Sequence, residues 1–236
     1  MRFGSIPFLA NVTPPGGGGG GGTATYQTEA RTTGNIRQTV GITAAKPVGT
    51  LADELLVAFL EPHEQLRVQD MAPPAGWTLR GEVYSDFASA YGTRIWTAPG
   101  SVADMLFRMA TNDAWTGSAI YVMRVSGVDL ANPIRQIATR AAQDWTPAVA
   151  NMPTPTVTAG AGDCVLSAYF QIQSGTALGT PTAGYTRVID QDNTFNRISV
   201  VQQSNVAAGA TGEISHAAGA VAFEARVGFT LALRAA

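Results

Sequence analysis

The chain has 236 residues, a formal net charge of −2 and a single cysteine, Cys164. Its 15 basic and 17 acidic side chains are interspersed without a basic stripe, which excludes an ordinary nucleic-acid-binding surface. One cysteine excludes an intrachain disulfide, and no run reaches the roughly 18 apolar residues of a membrane-spanning helix.

Charged residues make up only 14% of the chain against 45% hydrophobic, so part of the surface is expected to be covered in an assembly. Residues 1–22 read as an arm: an apolar-to-polar segment up to Pro14-Pro15, then the glycine run Gly16–Gly22. The opening stretch Met1–Leu9 is too short for a secretory signal and is interrupted by Pro7, so folding in the cytoplasm is expected. No Lys-Ser/Thr ends the glycine run, and no helical pattern follows it, so it is not a phosphate-binding loop. It reads as a flexible linker, the alternative being a polyglycine helix packed where three chains meet. Phe3, Ile6, Phe8 and Leu9 lie beyond it. Apolar residues on a tether make sense as an anchor that docks into a partner.

Residues 23–236 read as one domain, with β-type composition over Tyr26–Thr32 and Asn35–Thr43. Two pseudo-repeats follow, at 51–126 and 156–236. Each opens on an acid before an apolar run, Asp53–Leu60 and Asp163–Phe170. Each then has a Pro-containing approach to Ala-Gly-aromatic-Thr, at Ala75-Gly76-Trp77-Thr78 and Ala183-Gly184-Tyr185-Thr186. Each continues with an Arg-Ile pair, Arg94-Ile95 and Arg197-Ile198, and closes on an alternating segment, Ser118–Val125 and Arg226–Leu233.

Strands are expected near 54–61, 77–85, 92–98, 105–110 and 118–125 in the first repeat. In the second they are expected near 156–160, 163–172, 184–190, 195–203, 211–217 and 226–234. Residues 127–155 read as a connector, and Ser101–Met109 as the site of one helical turn capped by Ser101. Trp77, Leu79, Gly81 and Val83 alternate onto one face, and Trp77 is expected to plug the end of the core. Short strands separated by frequent turn signals predict an all-β, antiparallel, jelly-roll-like β-sandwich with an extended N-terminal arm and one core shared by the repeats.

The chemistry-bearing residues form no catalytic constellation. His63 and His216 read as solvated loop histidines, and no Cys/His pair has metal spacing. No Gly-x-Ser-x-Gly elbow is present. Asp190-Gln191-Asp192-Asn193 lacks the glycine and distal glutamate of a calcium loop and reads as a hairpin turn. Asp53 and Glu54, adjacent at a strand start, point to opposite faces and cannot act as a pair. No cofactor is implied. Trp96, Trp115 and Trp145 are the candidates for a glycan-stacking platform.

The order Asp53–Phe59, Pro74–Leu79, Arg94-Ile95-Trp96, Tyr121–Asp129 and Pro133-Ile134 resembles a β-sandwich module of tailed bacteriophages and gene transfer agents. The resemblance covers roughly residues 40–234 and includes the turn at Ala207–Gly212. It implies a non-enzymatic virion component, a spike, fibre or decoration protein, with no catalytic residues to carry over. The implied partners are other virion proteins, and the implied location is the virion, assembled in the host cytoplasm. The low charge adds the expectation of a homotrimer, and the alternative reading is a glycan-binding module that recognises the host surface.

Overall fold

The computed structural model describes residues 22–36, 41–60, 71–85, 91–109, 115–144, 153–172, 178–192, 196–217 and 224–236, and no helix occurs among them. The first part of the chain supplies β1 (Thr25–Ile36), β2 (Ile42–Thr43), β3 (Leu55–Leu60), β4 (Met71–Ala72), β5 (Thr78–Ser85), β6 (Tyr91–Pro99), β7 (Leu106–Met109) and β8 (Trp115–Ser126). The second supplies β9 (Ile134–Asp144), β10 (Thr158–Ala159), β11 (Cys164–Ile172), β12 (Thr186–Asp192), β13 (Asn196–Gln203), β14 (Gly209–Ala210) and β15 (Glu224–Leu233).

Two five-stranded antiparallel sheets result, in the orders β1-β8-β3-β6-β5 and β9-β15-β11-β13-β12. The orders agree term by term when the strands are ranked along the chain, β1 with β9 through β8 with β15. The small pairs agree too: β2 with β7 in the first part, β10 with β14 in the second. Among the described residues only β4, which pairs with β7, has no counterpart. Two bulges recur at the same places, while the shift between Gly34 and Ile36 in β1 does not. Gln27 is the extra residue where β1 meets β8, and Arg135 where β9 meets β15. Arg80 is extra where β5 meets β6, and Val188 where β12 meets β13.

The sheets face each other across one continuous core. At its centre Phe59 stacks on Tyr121 at 5.2 Å and meets Phe170 and Phe229 of the opposite sheet edge-on at 5.5 and 5.8 Å. Contacts of this geometry add to area burial by about 0.5–1.5 kcal/mol each.

Both outer faces are covered as well. Leu56, Ala58, Leu60 and Trp96 lie under β2, β4 and β7, and Val165, Val201 and Ala232 lie beneath the β10–β14 layer. Burial on both faces explains why the central strand β3 reads as an unbroken apolar run, every residue buried.

Three expectations are corrected. Residues 127–155 contain an 11-residue strand, β9, which pairs along its length with β15. Ser101–Met109 makes no helical turn; its end is β7, whose Phe107 closes the first outer cluster. The segment 211–217 is no strand and holds only a bridge between Ile214 and Thr154.

Candidate functional site

The recurrent motif forms the same turn twice. The Trp77 N–H donates to the Pro74 carbonyl at 3.3 Å, and the Tyr185 N–H to the Thr182 carbonyl at 3.1 Å. Gly76 and Gly184 occupy the third turn position with φ of 85° and 88°, the left-handed conformation of a type II turn. Each turn launches the edge strand of its own sheet, β5 or β12.

Trp77 is buried and its indole N–H donates to the Asp104 carbonyl at 2.9 Å, but it belongs to the outer cluster, edge-on to Phe107 at 5.3 Å. The inter-sheet core is reached from β5 by Val83. The extra residue Arg80 breaks the alternation, so Trp77 and Val83 serve opposite faces and Leu79 is exposed. Tyr185, half-buried, packs on the corresponding outer cluster of the second sheet, and burial pushes its phenol up to about 12.

Gly22, the first described residue, lies at one end of the sandwich. The Gly22 N–H donates to the Ala236 carbonyl and the Ala236 N–H to the Gly127 carbonyl, both at 3.0 Å, while the Ala24 N–H bonds the Gly162 carbonyl at 2.9 Å. Strands β1, β3, β5, β9, β11 and β12 start at this end and run away from it. The anchor candidates Phe3, Ile6, Phe8 and Leu9 lie outside the described residues, as does the glycine run except Gly22.

The tryptophan candidates are not brought together in the described structure. Trp96 is fully buried against Phe107, at 5.3 Å, which removes it from any exposed platform. The layer that includes β7 closes over this side of β6. Trp115 begins β8, but its side chain, like the whole of Trp145, lies outside the described residues.

His216 departs most from its expectation. It is fully buried, with Nε2 3.0 Å from Ser167 Oγ and Nδ1 2.9 Å from Ser199 Oγ. Tyr169 stacks on its ring at 5.6 Å, and Ser167 also bonds Thr154. The Arg187 guanidinium donates to the His216 carbonyl at 2.9 Å. Burial, and secondarily the Arg187 charge, push the imidazole down to about 3, so it is neutral at neutral pH. With both nitrogens engaged and no exposure, this is a polar knot that fixes the segment after β14 onto the second sheet. Its sequence signal is the alternation of Ile214 and His216, which puts both on one side of an extended segment.

Asp190, read as part of a hairpin turn, lies in β12 and forms ion pairs with Arg197 and Arg187. Asn193 and His63 lie outside the described residues. Among the described residues no three His, Cys, Asp or Glu side chains are grouped to hold a metal, and no helix is long and apolar enough to cross a membrane.

These observations define an all-β protein of two face-to-face antiparallel sheets, with Gly22, the first described residue, at one end. No protein-family model and no curated protein matches the chain.

Proposed function

We propose that the chain is a non-enzymatic structural component of a tailed phage or phage-like particle, a spike, fibre or decoration protein mounted through its N-terminal arm. The observation that carries this reading is the polarity of the body. The arm joins at the end where Gly22, Gly127 and Ala236 are hydrogen-bonded together, and six strands project away from it. Twelve-residue strands such as β1 and β8 reach about 40 Å from that end. A body held there presents its opposite end outward. The shared strand order and bulge positions of the two sheets support an origin by duplication of one unit. Sparse charge supports burial of some faces in a homotrimer.

Deleting residues 1–15 tests the reading. The truncated body is expected to keep its thermal midpoint and to disappear from purified particles. Incorporation at the normal level would show that the arm is not the anchor, and absence of the full chain from particles by immunogold labelling would end the proposal.

A further inference from the structure

A cleft of about 300 Å³ opens at the arm end of the sandwich, where the start of β5 and the end of β6 meet the turn that leads into β9. It is lined by the polar side chains of Thr78, Arg80 and Thr97 and by the apolar ones of Pro99, Leu130 and Pro133. Arg80 is the bulge residue of β5, and its Nε donates to the buried Thr97 Oγ1 at 2.7 Å, which fixes the plane of the guanidinium.

No acid among the described residues pairs with Arg80. Burial alone acts on it, lowering its pKa. Arg187 offers the contrast on β12: its Nε also bonds a hydroxyl, Ser199 Oγ, at 3.2 Å. Its other nitrogens are taken by the carbonyls of Gly179 and His216 and by Asp190. One arginine is consumed by the fold; the other lines a cleft and, among the described residues, has only its Nε held.

We propose that this cleft binds an acidic sugar, a single hexuronate residue, whether or not the chain is mounted on a particle. The terminal edge of a guanidinium whose Nε is already held matches a carboxylate in a two-point pair. Leu130 and the two prolines supply an apolar wall for the C–H face of a pyranose ring, and the Thr78 hydroxyl meets its hydroxyls. The volume lies at the lower end of ligand pockets, about 300–1,000 Å³, and suits one ring and not a chain.

Ligand-observed NMR titration of the full chain with sodium glucuronate tests this, with glucose and acetate as controls. Saturable binding with a Kd on the order of 1 mM is expected for glucuronate, and none for either control. Arg80→Met is expected to weaken it about tenfold or more. Leu130→Asp changes an exposed turn residue and sets a carboxylate on the lip, so the fold is kept and binding is expected to be lost. No glucuronate binding, an equal response to acetate or glucose, or unchanged binding in either folded variant would overturn the proposal.

Discussion

Glu54 and Asp163 hold the same place in the two sheets. Each is a buried carboxylate immediately before a central strand, and each accepts the backbone N–H of the residue three before it, Leu51 at 2.6 Å and Gly160 at 2.7 Å. Each also takes an arginine: Arg124 at 3.0 Å for Glu54, and Arg135 for Asp163, which in addition receives the Ala235 N–H at 3.0 Å. Burial alone would raise the pKa of Asp163, but the Arg135 side chain and the two N–H groups outweigh it and leave the acid below its ordinary value.

Removing either acid takes a buried carboxylate away from a partly exposed arginine and from at least one turn N–H. Asp163→Ala and Glu54→Ala are each expected to cost about 1.5–3 kcal/mol, measured by urea denaturation. A loss below about 1 kcal/mol, typical of a surface pair, would show that the turns do not depend on them.

The two motif turns are expected to respond unequally. Trp77→Ala empties a filled outer cluster and should cost about 3–5 kcal/mol; Tyr185→Ala, at a half-buried position, should cost about 1–2 kcal/mol. Gly76→Ala and Gly184→Ala force a left-handed alanine, a penalty of roughly 1–2 kcal/mol each. Equal losses at Trp77 and Tyr185 would contradict their different burial.

His216 makes stability fall in acid. Its folded pKa of about 3 lies below the ordinary value of 6.5, so between these limits the unfolded chain binds the extra proton. Stability from this group is complete above about pH 6.5 and is lost as pH falls toward 3, with a slope of up to about 1.4 kcal/mol per pH unit. Asp163 adds its own loss only below its unfolded value, near 3.9. Glu29, whose pKa burial raises, acts in the opposite direction. Comparing His216→Gln with the parent chain between pH 7 and 4 isolates the histidine. An identical pH slope in both would mean that His216 is not held neutral.

Cys164 is fully buried at the start of β11, and burial pushes its thiol up to about 12. It should stay unlabelled by an aromatic disulfide reagent in the native protein and react fully in urea. Rapid stoichiometric labelling of the native chain would place the β11 start in a different, open structure.

Strands with dense apolar residues were legible in the sequence because burial on both faces needs no alternation to announce it. β9 was not. Ile134–Asp144 is rich in Arg, Gln and Ala, and as an edge strand with one paired neighbour it needs few β-formers. The likeness of the two parts was visible in the sequence, but two of its landmarks do not fall at matching places in the two sheets. Asp53 is exposed, and its neighbour Glu54 does what Asp163 does. The Arg-Ile pairs slip by two. Phe59 and Ala168 each stand five residues beyond the buried acids, and they oppose Ile95 and Val200; Ile198 lies opposite Phe170 instead. A two-residue slip keeps every side chain on its face, so likeness survives where equivalence does not. His216 was missed because its one local signal, the alternation with Ile214, is short, and the two serines that satisfy it are distant in sequence.

The hydrogen bond between Gly22 and Ala236 closes the body on itself, so its covalent order is a choice and not a necessity of the fold. A chain rewired to run from Ala236 directly into Gly22, and opened in the exposed turn between Leu130 and Ala131, would carry the β9–β15 sheet first and the β1–β8 sheet second. With both new ends on an exposed turn, such a circular permutant is expected to fold to the same spectrum and nearly the same stability as the parent body. The same adjacency sets where cargo goes: a protein fused after Ala236 emerges beside the arm and leaves the far end of the sandwich clear.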